Sequence, residues 1–132
     1  LLNERGDEYL DAVTEYQCEK KFEIAEPMGL HETTRYSLIN CYPKTGRMHQ
    51  IRRHLKSIFH PIVGDTTYGD GKHNALFRKK FLSERLLLNA IALSFVHFKT
   101  GTPIVITLPH SLQLDTSFLG EGVELQESGD GI

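Results

Sequence analysis

Cysteine is scarce in this chain: Cys18 and Cys41 are the two in 132 residues. Two scattered thiols exclude a disulfide framework and a cysteine-based zinc site. Long apolar runs are also missing. None approaches the ~18 residues that a membrane-crossing helix needs, and nothing resembles a signal peptide. The expectation is a soluble, cytoplasmic protein without a membrane partner, one domain or part of one. Acid is missing locally too, since no aspartate or glutamate lies between Glu32 and Asp65.

Base fills that window. It holds Arg35, Lys44, Arg47, Arg52, Arg53 and Lys56, with His49, His54 and His60 among them. The formal net charge of -2 hides this arrangement. Residues 1–32 carry nine acids against three bases, residues 33–114 twelve bases against three acids, and residues 115–132 five acids and no base. A basic centre between acidic flanks suits a phosphate backbone.

The basic block carries a helical pattern. Met48, Ile51, Leu55 and Ile58 form one apolar stripe at helical spacing. Thr45 is the expected N-cap, and Pro61 stops the pattern. Arg53, Lys56 and His49 fall away from the stripe, while Arg52 falls at its edge. A half-buried guanidinium requires a carboxylate or phosphate partner. His60 is expected to pack beside Pro61, and Asp65 to cap the glycine-rich loop 66–74.

The rest of the chain reads as follows. Residues 1–20 form a linker or helix, with Val13–Tyr16 open as a strand, and 21–110 form the core. Strands are expected over Lys21–Ala25, Thr33–Tyr42, Arg85–Phe98 and Ile104–Leu108, with a helix as the alternative for Leu82–Leu93. Short helices are expected over Asn74–Ser83 and Ser111–Leu119, and 120–132 is a frayed tail. The implied class is α+β, with a mixed, mostly antiparallel sheet and helices packed against it.

The run Gly46-Arg47-Met48-His49-Gln50-Ile51-Arg52, followed by His60-Pro61-Ile62-Val63-Gly64-Asp65 and Tyr68-Gly69, closely resembles the C-terminal motif of the RluA-type RNA pseudouridine synthases. Thr34-Arg35-Tyr36, the paired Arg52-Arg53, and Gly69-Asp70 followed by His73-Asn74 are most similar to the TruC-type tRNA branch of that family. Arg85-Leu86-Leu87-Leu88-Asn89-Ala90 resembles the family's next strand, with Asn89 where histidine is usual and Phe98 where proline is usual.

The resemblance implies a uridine-to-pseudouridine isomerase that acts on RNA, most similar to tRNA enzymes, without metal or cofactor. It implies that Arg52 pairs with the catalytic aspartate and that Leu88 lines the uracil pocket. Lys44, Arg47, His49, Arg53, His54, Lys56 and Lys72 are candidate phosphate contacts; a solvated surface role stays open for each, and Arg47 could instead hold the turn. The family's aspartate motif and its following tyrosine strand are not in these residues. Gln113-Leu114-Asp115 matches that motif only superficially. The chain is therefore expected to be the C-terminal portion of one catalytic domain, inactive alone, with the missing N-terminal part as its partner. Two other readings remain at this stage: a non-catalytic RNA-binding module, and a histidine-based metal hydrolase, for which the histidine spacing is unsuitable.

Overall fold

The computed structural model describes residues 10–114 and the strand 123–126. Thr14–Ile24 form one eleven-residue strand, β1. This corrects the linker or helix expected up to residue 20; residues 1–9 lie outside the described residues. β1 is the middle of an antiparallel sheet, flanked by β2 (Thr34–Pro43) and by Val123–Gln126. The 123–126 strand pairs only with Lys21–Ile24; Glu15, Gln17 and Glu19 lie on the half paired with β2 alone, where their side chains are exposed. The strand at 123–126 also corrects the frayed tail; the remainder of 120–132 lies outside the described residues.

Helix α1 spans Gln50–Ser57. It is shorter than the apolar stripe implied. Leu55 is buried, but Met48 and Ile58 fall outside the helix and are exposed. Thr45 is not its N-cap. That position belongs to His49, in left-handed backbone conformation (φ 50°) and without a side-chain capping bond. Helix α2 runs Gly71–Phe81, starting inside the expected loop. The Asp70 carboxylate accepts hydrogen bonds from the backbone N–H of Lys72 (2.8 Å) and His73 (3.4 Å), which is N-capping. Arg78, Lys79 and Lys80 occupy the last turn, where cations suit the helix dipole.

α2 closes the core. Phe77 packs with Phe22 and Ile24 of β1, and Tyr36, Leu38, Val63, Phe81 and Leu87 surround them. The rings of Tyr36 and Phe77 meet edge-on at 4.9 Å. Residues 84–91 are neither strand nor helix; pairing begins only at β3 (Ala92–Val96), which forms a hairpin with β4 (Pro103–Thr107). A single 3-10 turn at His110–Leu112 stands where a last helix was expected; residues 115–119 lie outside the described ones. The class is α+β as expected. All strand pairing among the described residues is antiparallel, in two small sheets instead of one mixed sheet.

Candidate functional site

Gln50 ties the start of α1 to the start of β1. Its Oε1 accepts from the Arg47 N–H (3.0 Å) and the Thr45 hydroxyl (2.6 Å). Its Nε2 donates to the Val13 carbonyl (3.0 Å) and the Thr14 hydroxyl (2.9 Å). The residue is 5% exposed, so truncation strands several polar groups away from water. Gln50→Ala is expected to lower stability by about 2 kcal/mol, read as a drop in the urea midpoint; an unchanged midpoint would show that water replaces the amide.

Within the first turn of α1, Arg52 meets an acid expected from sequence only at the loop. Its Nε donates to Asp65 Oδ2 at 2.8 Å and a terminal nitrogen donates to Asp65 Oδ1 at 2.9 Å. The side chains are 19% and 1% exposed. A carboxylate within the chain thus already holds Arg52, a partner not assigned to it from sequence. This pair uses two of the guanidinium's five N–H donors. Asp65 also caps the loop as expected, accepting from the backbone N–H of Thr67 (3.0 Å) and Tyr68 (2.9 Å). Arg52, foremost, and then these two amides hold its carboxyl well below the usual carboxylate range against the opposing effect of burial. The same hydrogen bond raises the Arg52 guanidinium further above its ordinary value.

Asn74 of α2 locks the loop from below. Its Nδ2 donates to the Asp65 carbonyl (2.9 Å), and its Oδ1 accepts from the Gly64 N–H (2.8 Å). Nearby, the Tyr36 hydroxyl and His73 Nδ1 share a hydrogen bond of 2.8 Å. Burial, and then the charge of Asp70, push the Tyr36 hydroxyl up.

The proposed phosphate contacts are divided by the structure. His49 and Lys56 are exposed beside Tyr68, and Lys72 is exposed at the start of α2. Lys44 is exposed and lies 3.6 Å from Glu15. Arg47 is exposed, and its Nε donates to the Asp11 carbonyl (3.0 Å). Arg53 is half-buried. His54 is half-buried as well, with Nδ1 sharing a 2.8 Å hydrogen bond with the Thr14 hydroxyl. Burial, with Arg53 close by, moves its imidazole below the ordinary value.

Leu88 lines an open, mainly apolar groove with Ile51, Leu55, Tyr36, Leu38 and Ile91. Arg52 is not among the groove's lining residues, so the structure does not bring Arg52 and Leu88 into one cavity. Among the described residues, no three His, Cys, Asp or Glu side chains cluster as metal ligands, and no helix is long and apolar enough to cross a membrane. Sequence reasoning missed Gln50, Tyr68 and Asn74 as fixing residues. No local spacing signals the Asn74 role, because its partners Gly64 and Asp65 lie ten and nine residues away.

Residues 2–57 match the family model described as RNA pseudouridylate synthase. The tRNA pseudouridine synthase C of Vibrio vulnificus (strain CMCP6) is 53% identical over 96 residues, covering 73% of this chain and 39% of that protein. The tRNA pseudouridine synthase C of Haemophilus ducreyi is 50% identical over 96 residues, covering 73% and 40%. That of Haemophilus influenzae is 41% identical over 106 residues, covering 80% and 44%. This chain spans about two fifths of the length of these curated relatives. With its basic helix, paired arginine and glycine loop in place, the chain belongs to the RNA pseudouridylate synthase family.

Proposed function

We propose that this chain is part of an isomerase that converts a uridine in tRNA to pseudouridine in the cytoplasm. The observation that carries the reading is Arg52: a guanidinium fixed at the edge of a basic helix, with N–H donors to spare. The reaction breaks the bond from uracil N1 to the ribose, turns the base, joins C5 to the same ribose carbon, releases the C5 proton and leaves N1 to take up a proton from water. The uridine must first leave its stack, which costs a few kcal/mol that pocket contacts offset.

Asp65 is not the reacting carboxylate. Both its oxygens are engaged and its side chain is 1% exposed. The catalytic aspartate is supplied from outside these 132 residues, by an N-terminal part of the same protein. Arg52 then extends a remaining N–H to that aspartate, Leu88 lines the uracil pocket, and His49, Lys56, Lys72 and Arg53 meet phosphates, aided by Lys44. The exposed apolar surface supports a missing partner segment: Leu93 is 60% exposed and Val105 71%, and an isolated two-stranded hairpin is marginal in water.

The test is tritium release from tRNA labelled at uracil C5. The chain alone should bind tRNA and release no tritium, while the protein extended to the length of its relatives should turn over. Turnover by the 132-residue chain would refute the division of the site. Binding without turnover in the extended protein would favour the non-catalytic RNA-binding module.

A further inference from the structure

We infer that Tyr68 is a positioning residue that fixes the plane of the Arg52 guanidinium, with His49 holding Tyr68 in place. The inference rests on the proposed RNA-facing role of Arg52 and adds to it the residues that aim that group.

The geometry is closed on several sides. The Arg52 guanidinium carbon lies 5.1 Å from the centre of the Tyr68 ring, over its face. Cations are attracted to that face, and a planar guanidinium can stack on it. In-plane, Arg52 is gripped by both oxygens of Asp65. The Tyr68 backbone N–H donates to one of those same oxygens at 2.9 Å. One residue therefore braces the carboxylate through its main chain and the guanidinium through its ring. An arginine side chain otherwise loses much rotamer freedom on being ordered; here two hydrogen bonds and one ring face define a single orientation. The N–H donors not used by Asp65 are then held in a fixed direction for an arriving anion.

His49 completes the arrangement. Its Nδ1 and the Tyr68 hydroxyl share a hydrogen bond of 3.1 Å, and the two rings meet edge-on at 5.6 Å. His49 is the N-cap of α1, yet its side chain caps nothing and its backbone is left-handed. Serine, threonine, aspartate or asparagine is the ordinary choice for an N-cap. A non-glycine residue persists in this conformation only where its surroundings over-determine it. What the conformation secures here is the imidazole against Tyr68. Lys56, 6.0 Å from the same ring, adds a second cation to the patch.

The test uses the 132-residue chain labelled with nitrogen-15, reading the Arg52 Nε–H resonance, and an unmodified tRNA transcript as the binding probe. Tyr68→Leu should move the Arg52 Nε–H downfield, because the shielding ring is gone, and should speed its exchange with water. tRNA affinity should fall about two- to fivefold. Tyr68→Phe keeps the ring but loses the hydroxyl that His49 holds, so its Arg52 Nε–H should lie between the wild-type and Tyr68→Leu positions. If the amide spectrum shows that Tyr68→Leu does not fold, His49→Ala decides: the Arg52 resonance should move in the same direction. An Arg52 Nε–H unchanged in the folded variant overturns the inference. A resonance that moves while tRNA affinity stays at the wild-type value supports the positioning by Tyr68 and overturns the RNA-facing role of Arg52.

Discussion

Arg52→Leu is expected to destabilise the chain by about 3–5 kcal/mol at neutral pH, the range for removing one partner of a buried ion pair. The cost comes from Asp65. Its side chain is 1% exposed, and without the guanidinium its charge keeps only the two loop amides. In the native chain its folded pKa lies well below the ordinary 3.8. Such a group contributes stability that is present above 3.8 and lost as the pH falls through the folded value. In Arg52→Leu the sign reverses. Burial without a counter-charge raises the folded pKa above the unfolded one. Acid then protonates Asp65 in the folded state first and relieves the strain. The stability gap between native chain and variant should therefore be widest at neutral pH and narrow as pH falls toward 3.8. Urea denaturation across that range checks it. A gap of constant size would mean that packing, not charge, sets the cost. Replacing both residues by leucine should recover much of the loss, because an apolar pair leaves no orphaned charge.

The legible parts of this molecule were those governed by short-range periodicity. The basic helix, its buried Leu55 and the half-buried placement of Arg52 all follow from residues ~100° apart around one axis. The partner of Arg52 did not follow, because Asp65 reaches it through the turn at 58–64, whose path depends on left-handed conformations at Phe59 and Gly64. Asp65 looked complete as a loop cap, and its second role needs three-dimensional proximity. The start of α2 was hidden by Gly71, which reads as a loop residue until Asp70 is recognised as its cap. β1 was split in two because Glu15, Gln17 and Glu19 obscure the strand. Its length reflects pairing with β2 from Thr14 to Ile24, which is a tertiary fact. The apolar run from Arg85 overstated the strand. Leu87–Ile91 instead line the groove, where the Leu87 N–H donates to the Val63 carbonyl at 2.9 Å.

That same junction makes Gly64→Ala the second large effect. Gly64 has φ +86°, a region costing a side-chain-bearing residue about 1–3 kcal/mol. Space is a separate obstacle. A Cβ at this position would lie 2.0 Å from the Arg85 carbonyl oxygen and 2.9 Å from the Leu86 Cα, so backbone, not a flexible side chain, would have to move. The segment that must retreat is the one bonded to Val63 and leading to Leu88. Gly64 is also held by Asn74, whose other amide end grips the Asp65 carbonyl. A shift here therefore reaches both the groove and the ion pair. Gly64→Ala should cost about 3 kcal/mol or more, seen as a lower urea midpoint, and should loosen the Arg52 Nε–H toward faster exchange. Gly46→Ala is the control within the same sequence motif. Its Cβ meets nothing within 4 Å, so its stability should change by no more than about 0.5 kcal/mol. Equal losses at both positions would refute the close-approach account, because the unfolded-chain effect of glycine-to-alanine is stabilising. A loss confined to Gly64 assigns it to the close approach of two backbones, on which both Leu88 and Asp65 depend.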